Sequence, residues 1–372
     1  MAKRQSSSAG FYRTPAVWVF AVCVLSCPGW LSCCPADDFR AVLVDAQQIS
    51  ESSLRRFAEQ GTTTVVLKLT TAAGPQRRLE TTAAEQIQKS GLKLNYWIEI
   101  ARCPELADAH PEWMASLQGH PEWRRLHPDA PHPLPNQVIK NYPWVPILYE
   151  ESFAAHLRRT EQLLTGIPAA GALFLNGLQG APSACGCGNS LCRWTADYGP
   201  IVTATPLKSP AAAEFVAAVK RIPPGRQVIP VWLTECEKHD CTPDGLCAGV
   251  GCFDGICWRA WQRQLTPVAE ESELIGAFVP YKLFRRDLPR YGKPGGWIQE
   301  CVRNFEQIPV VHGGRGIPAN RLILFLQGWD VTPEETVRQR HLAEESGVSG
   351  YVLMHSPVDQ SWSPRLFSLP AN

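Results

Sequence analysis

Eight short apolar runs with helical patterns between them constrain the fold more than any other feature of this sequence. They are AVLVD ending at Asp45, TVVLKL at 64–69, LNYWIEI at 94–100, ALFLNG at 172–177, VIPVWLTE at 228–235, LIGAFVPY at 274–281, LILFLQGW at 322–329 and GYVLMHSP at 350–357. Each is rich in β-branched or aromatic residues and nearly continuous in apolar character, as strands buried on both faces of a parallel sheet require. Helical patterns fall at 50–60, 82–90, 150–164, 211–221, 258–273, 297–307 and 333–346. Gly61 and Gly91 stand where C-caps are expected, and Thr332-Pro333 with Glu335 reads as an N-cap, a first-turn proline and a capping box. Alternating strands and helices predict a parallel sheet, and eight units predict a single closed (β/α)8 barrel of the TIM type. An open doubly wound sheet competes with it, but such a sheet usually carries a glycine-rich phosphate loop after its first strand. Here that strand continues VDAQQIS, without glycine.

Three connections interrupt the regular spacing: 101–149, crowded with Pro, His and Trp, and the cysteine-rich 178–210 and 236–257. All are βα loops, following the third, fourth and fifth runs, and in a barrel such loops gather on the C-terminal face where active sites sit. The 13 Trp of the chain lie largely outside the apolar runs, and Trp in loops serves either as a stacking platform for flat ligands or as loop packing.

Each run carries polar residues close to its C-terminal end: Asp45, Lys68, Glu99, Asn176, Glu235, Tyr281 with Lys282, Gln327 with Asp330 just beyond, and His355. In a barrel these converge on one mouth, although strands also end in polar residues simply because loops begin there. Lys68 and Glu99 sit inside apolar sequence, where a charge needs a partner, so they are candidates either for the mouth or for a structural pair with each other. Paired carboxylates at such positions suit glycoside chemistry, in which one carboxylic acid protonates the leaving oxygen and a second acts as nucleophile or base. Glu99 and Glu235 are the first candidates for that pair, with Asp330 in reserve. Asp45, Lys68, Trp97, Asn176, Tyr281, Gln327 and His355 are the candidates for contacting a ligand.

The stretch WIEIARCPELADAHPEWMASLQGHPEW resembles the region after the third strand in glycosidase-like barrels of exported bacterial proteins, most of them uncharacterised. The His-Pro-Glu-Trp segment at 110–113 and its copy at 120–123 carry the resemblance, which covers about the first half of the chain beyond residue 33. It implies the barrel and a polysaccharide or glycan ligand. The large retaining clan of such glycosidases places Asn-Glu at the end of the fourth strand, and this chain has Asn176-Gly177. The resemblance thus leaves two readings: an acid supplied from elsewhere, Glu235 being nearest, or a barrel that binds without hydrolysing.

The N-terminus reads as a targeting segment. Lys3, Arg4 and Arg13 precede the apolar AVWVFAVCVL, a run shorter than a membrane span and interrupted by Pro28. Gly-Trp-Leu-Ser before Cys33 loosely fits a lipobox, in which Cys33 would be lipidated and anchor the protein to a membrane; an ordinary cleaved signal or an uncleaved anchor is the alternative. The division expected is therefore 1–33 for targeting and 34–372 for the barrel, with a periplasmic or cell-envelope location. Residues 1–32 hold three basic and no acidic residues, so their removal takes the formal charge from +1 to −2, which gives no electrostatic reason to bind nucleic acid.

Of the 14 cysteines, Cys23 and Cys27 lie in the targeting segment and Cys33 and Cys34 at its end. Cys103 and Cys301 stand alone, while Cys185, Cys187, Cys192, Cys236, Cys241, Cys247, Cys252 and Cys257 crowd into the loops after the fourth and fifth runs. An even number in glycine-rich loops of an exported chain favours disulfides. The alternative is a metal, with His239 beside the thiolates, or with His110, His120, His127 and His132 of the Pro-rich loop. No Cys-x2-Cys zinc spacing and no Cys-x-x-Cys-His haem motif occurs, and no cofactor is expected.

Overall fold

In a computed structural model, residues 39–114, 129, 132–140, 142–147, 149–178, 211–233, 267–279, 296–311, 315–355 and 365–368 are described. All eight apolar runs form strands: β1 Phe39–Val44, β2 Thr64–Leu69, β3 Lys93–Glu99, β5 Ala172–Asn176, β6 Gln227–Leu233, β7 Ile275–Val279, β8 Leu322–Gln327 and β9 Gly350–Met354. They close into a barrel in the order β1-β2-β3-β5-β6-β7-β8-β9, with the β1–β9 pairing parallel like the rest.

The two-residue period of a strand sorts these runs into two cores. Ala41, Val66, Trp97, Phe174, Val231, Phe325 and Val352 pack into the barrel interior. The alternate residues, among them Val42, Leu67, Ile98, Leu175 and Leu324, pack outward against the helices. Gly276 makes room in the interior, since a Cβ there would lie 2.8 Å from Val231 and 2.9 Å from the Phe325 ring.

Helices α1 Glu51–Glu59, α2 Gly74–Lys89, α4 Glu150–Leu164, α5 Ala211–Lys220, α6 Trp297–Val311 and α7 Pro333–Glu345 lie between the strands, with a shorter α3 at Pro104–Ala109. Helix α7 opens with the expected cap, the Thr332 hydroxyl accepting from the Glu335 backbone N–H and the Glu335 carboxylate accepting from the Thr332 N–H. Helix α2 begins at Gly74, eight residues before the sequence pattern places it. Its buried stripe starts with Arg77 and Glu80 before Ala83, Ala84 and Ile87, so an apolar period does not mark its first turns.

The insertion after β3 has structure of its own. It holds α3, a 3-10 turn over Pro111–Trp113 and a strand, β4 Gln137–Lys140. This strand pairs antiparallel with β10 Arg365–Ser368 near the C-terminus. Among the described residues, no helix is long and apolar enough to cross a membrane.

Candidate functional site

Parallel strands put every strand C-terminus at one end of the barrel, and inward parity there selects Asp45, Lys68, Glu99 and Asn176 on four consecutive strands. Glu99 and Asn176 are direct register partners on β3 and β5. The Asn176 amide donates to both oxygens of the Glu99 carboxylate, at 3.1 and 2.9 Å. Trp97, two residues earlier on the same face, donates its indole N–H to Glu99 Oε1 at 2.8 Å. Both carboxylate oxygens therefore accept from neutral donors built on adjacent strands. Glu99 and Asn176 remain partly exposed, so the group is held but open.

Lys68 lies beside Asp45, its Nζ 3.9 Å from Oδ1, with the side chains 33% and 42% exposed. This corrects the expected Lys68–Glu99 structural pair. Val44 pairs with Leu67, which sets Asp45 opposite Lys68, whereas Lys68 itself pairs with Trp97 and lies two residues below Glu99. Such a step is about 6.6 Å along a strand.

Three other expected ligand contacts are placed differently. Trp97 is wholly buried, its ring packed 5.0 Å from that of Phe325, so it offers no face to a sugar and acts on the site through Glu99. Gln327 is 1% exposed; its amide donates to the Trp329 carbonyl, and its backbone exchanges hydrogen bonds with the Gln339 side chain of α7. His355 has the parity opposite to Met354 and stacks on Phe57 of α1, in the helical layer; it stays exposed, and partial desolvation with the nearby Arg56 lowers its pKa. Asp330 is in the β8–α7 connection with φ 52°. Glu235, Tyr281, Lys282, Cys33, the eight loop cysteines and the second His-Pro-Glu-Trp copy lie outside the described residues. Cys103 is a buried free thiol, and Cys301 is buried on α6. Among the described residues, no three His, Cys, Asp or Glu side chains are grouped to hold a metal.

Gly177, where the resemblance would want a glutamate, has φ +76° and its Cβ position lies 3.4 Å from the Ala101 backbone nitrogen. The backbone here is in the left-handed region that favours glycine, so an acid at this place would be strained as well as absent.

Behind the mouth, the sequence reading missed a set of buried polar groups. Arg159 of α4 donates to the carbonyls of Glu99 and Thr70, each at 3.1 Å. Glu80 of α2 accepts from the Thr70 N–H at 3.0 Å and hydroxyl at 2.6 Å. His156 is fully buried with Nε2 2.7 Å from the Val145 carbonyl, and burial pushes its pKa down to about 3. In the insertion, Lys140 has no exposed surface and donates to the Met114 and Glu112 carbonyls at 2.7 and 3.3 Å. Burial lowers its pKa to about 7, with Glu112 opposing. His110 stacks on Trp113 at 3.7 Å and lies 3.3 Å from Glu112. In the sequence Arg159, Glu80 and His156 are isolated polar positions within helices, Lys140 ends the non-alternating run QVIK, and only His110 carries a cue, as part of the His-Pro-Glu-Trp segment.

No protein-family model and no curated protein matches the chain. Solved structures with a similar course of chain include a β-galactosidase from the psychrophilic Marinomonas ef1, at TM-score 0.47 and 11% identity over 86% of this chain. A chitinase from Chromobacterium violaceum is similar at TM-score 0.45 and 8% identity, over 87% of this chain and 95% of its own. A GH5_18 protein from Streptomyces cattleya in complex with GlcNAc follows at TM-score 0.43 and 12% identity, over 85% of this chain and 70% of its own. The chain spans 55% of the length of the galactosidase. The barrel itself is established by its own strand pairing.

Proposed function

We propose that this protein is a barrel acting on a polysaccharide or glycan, with Glu99 as the carboxylate that meets the sugar ring. The observation that carries this reading is the Glu99 carboxylate at the strand ends, with both oxygens accepting from Asn176 and Trp97. A carboxylate whose two oxygens both accept hydrogen bonds is oriented before the substrate arrives, which fits a nucleophile or charge stabiliser better than an acid. Glu235 is our choice for the acid/base, with Asp330 in reserve, and Asp45 and Lys68 supply polar contacts beside the reacting ring. No cofactor enters this scheme. Export to the cell envelope, an anchor at Cys33 and disulfides among the cysteines of the two loops belong to the same proposal.

The test is release of reducing sugar from a panel of envelope, plant and algal polysaccharides by the wild type, Glu99→Gln and Glu235→Gln. Activity that falls by roughly 10²–10⁴-fold in both variants supports the pair. The second reading is a non-catalytic glycan-binding barrel, and the observation that favours it is the left-handed glycine at 177, where a fourth-strand acid would be strained. Glycan binding without turnover by the wild type would select it.

A further inference from the structure

The position of Glu99 is fixed by its side-chain donors and also from behind, through its main chain. The Arg159 guanidinium reaches from α4 to the ends of two neighbouring barrel strands, Nη1 on the Glu99 carbonyl and Nη2 on the Thr70 carbonyl, both at 3.1 Å. Register places these carbonyls side by side, since Leu69 pairs with Ile98 and the next residues are Thr70 and Glu99. Two N–H groups of one rigid fork thus bridge the last residue of β3 and the residue that follows β2. The residue is 8% exposed, and its Nε lies 3.5 Å from Glu105 Oε2 without hydrogen-bond alignment, so the two carbonyls are its aligned partners. On the far side, Glu80 holds Thr70 through both its N–H and its hydroxyl. Helix α2, the end of β2, helix α4 and the end of β3 are joined through one chain of polar contacts, anchored on the buried Glu80 and Arg159, that terminates at the residue presenting the carboxylate.

We propose that Arg159 is the positioning residue of the site: it fixes where the β3 end stands relative to β2, and thereby where Glu99 meets Asn176 and Trp97. Its role in turnover rests on the reading of Glu99 given above. The planar fork matters because it spans two carbonyls at once, whereas a lysine ammonium is a single point donor on a flexible stem.

The test uses the full chain labelled with 15N on its tryptophan indoles, with Trp97 assigned by comparing wild type and Trp97→Phe. The Trp97 indole N–H reports its bond to Glu99 directly, and Glu99→Gln sets the position of the weakened bond. Arg159→Met should move the Trp97 resonance toward its place in Glu99→Gln, and Arg159→Lys should move it part of the way. A merely structural arginine would lower the melting temperature and leave that resonance at its wild-type position, which overturns the proposal. Arg159→Lys carries the test if the methionine variant fails to fold. On any polysaccharide that the wild type cleaves, Arg159→Met should lower kcat about 10–100-fold with KM little changed, as expected for a displaced reacting group. Full activity in Glu99→Gln would refute the functional reading while the resonance still decides whether Arg159 positions Glu99. Loss of activity in Glu99→Gln with wild-type kcat in Arg159→Met would remove Arg159 and leave the functional reading standing.

Discussion

Two charged groups at strand ends, Glu99 in the barrel mouth and Lys140 in the insertion after β3, are treated in opposite ways. Glu99 is met by side-chain N–H donors from its own and the next strand and stays partly open. Lys140 is closed off completely, and its ammonium donates to main-chain carbonyls of the 3-10 turn at Glu112 and Met114. A charge meant to meet a ligand must keep a face toward water, whereas a charge that ties chain segments together works best with its partners inside the protein. Under the function proposed above, the difference is what a site carboxylate and a structural pin would show, Lys140 joining β4 to the His-Pro-Glu-Trp turn. The neighbouring contacts agree, since Phe367 of β10 lies 5.9 Å under the Lys140 ammonium and Arg365 stacks over Tyr142.

This comparison can be broken most sharply by Asn176→Asp, which keeps the shape but replaces the donor to both Glu99 oxygens with an acceptor. Hydrogen bonds to charged groups contribute about 1.5–3 kcal/mol, so a drop of roughly 10–100-fold in kcat is expected on a substrate cleaved by the wild type. The unfolding midpoint should change little, and an unchanged kcat would mean that Asn176 does not orient Glu99.

Lys140→Met should do the reverse. It leaves two carbonyls without their buried donor, a cost of about 1–3 kcal/mol in denaturant unfolding, while turnover and glycan binding stay near wild type. A lost activity with intact stability would place Lys140 in the site and collapse the distinction between the two regions.

The pH dependence sharpens the same point. The folded pKa of Lys140 lies near 7, below its ordinary 10.5, so the unfolded chain binds more protons between those values. Wild-type stability relative to Lys140→Met should therefore rise with pH across that window, by up to ~1.4 kcal/mol per unit. For His156, lowered from 6.5 to about 3, stability is lost as the pH falls through the interval between those values, and His156→Gln should flatten that acid limb. Parallel pH profiles of the wild type and both variants would contradict the burial assigned to these groups.

The smallest effect is expected at Arg365, which pairs with Asp108 at 2.9 Å while the two side chains are 53% and 58% exposed. Arg365→Ala should cost no more than about 1 kcal/mol, since exposed ion pairs contribute little. A larger loss would make β10 a principal support of the insertion instead of a light fastening.

The strands were legible because a doubly buried strand writes its own apolar run, and Trp97 and Glu99 could be read onto one face because side chains alternate strictly. Helix α7 announced itself through Thr332, Pro333 and Glu335, whose cap is made within four residues of chain. Helix α2 concealed its first turns because Arg77 and Glu80 face inward, their charge met by groups far away in sequence: Arg77 by the carbonyls of Leu163 and Thr165, Glu80 by Thr70. No local rule anticipates an inward arginine whose acceptors are supplied by another helix.

The sequence by itself determined that eight βα units close into a barrel and that Asp45, Lys68, Glu99 and Asn176 stand at its C-terminal end, because these follow from local period and from the direction of parallel strands. Only the tertiary structure decided which of them meet. Stagger between strands sets Lys68 beside Asp45 and two residues below Glu99, gives Glu99 to Asn176, and buries the Trp97 ring beneath the carboxylate. It also joins Gln137–Lys140 to Arg365–Ser368 across the length of the chain. Such partnerships depend on register and packing between distant segments, which the pattern of any one run does not contain.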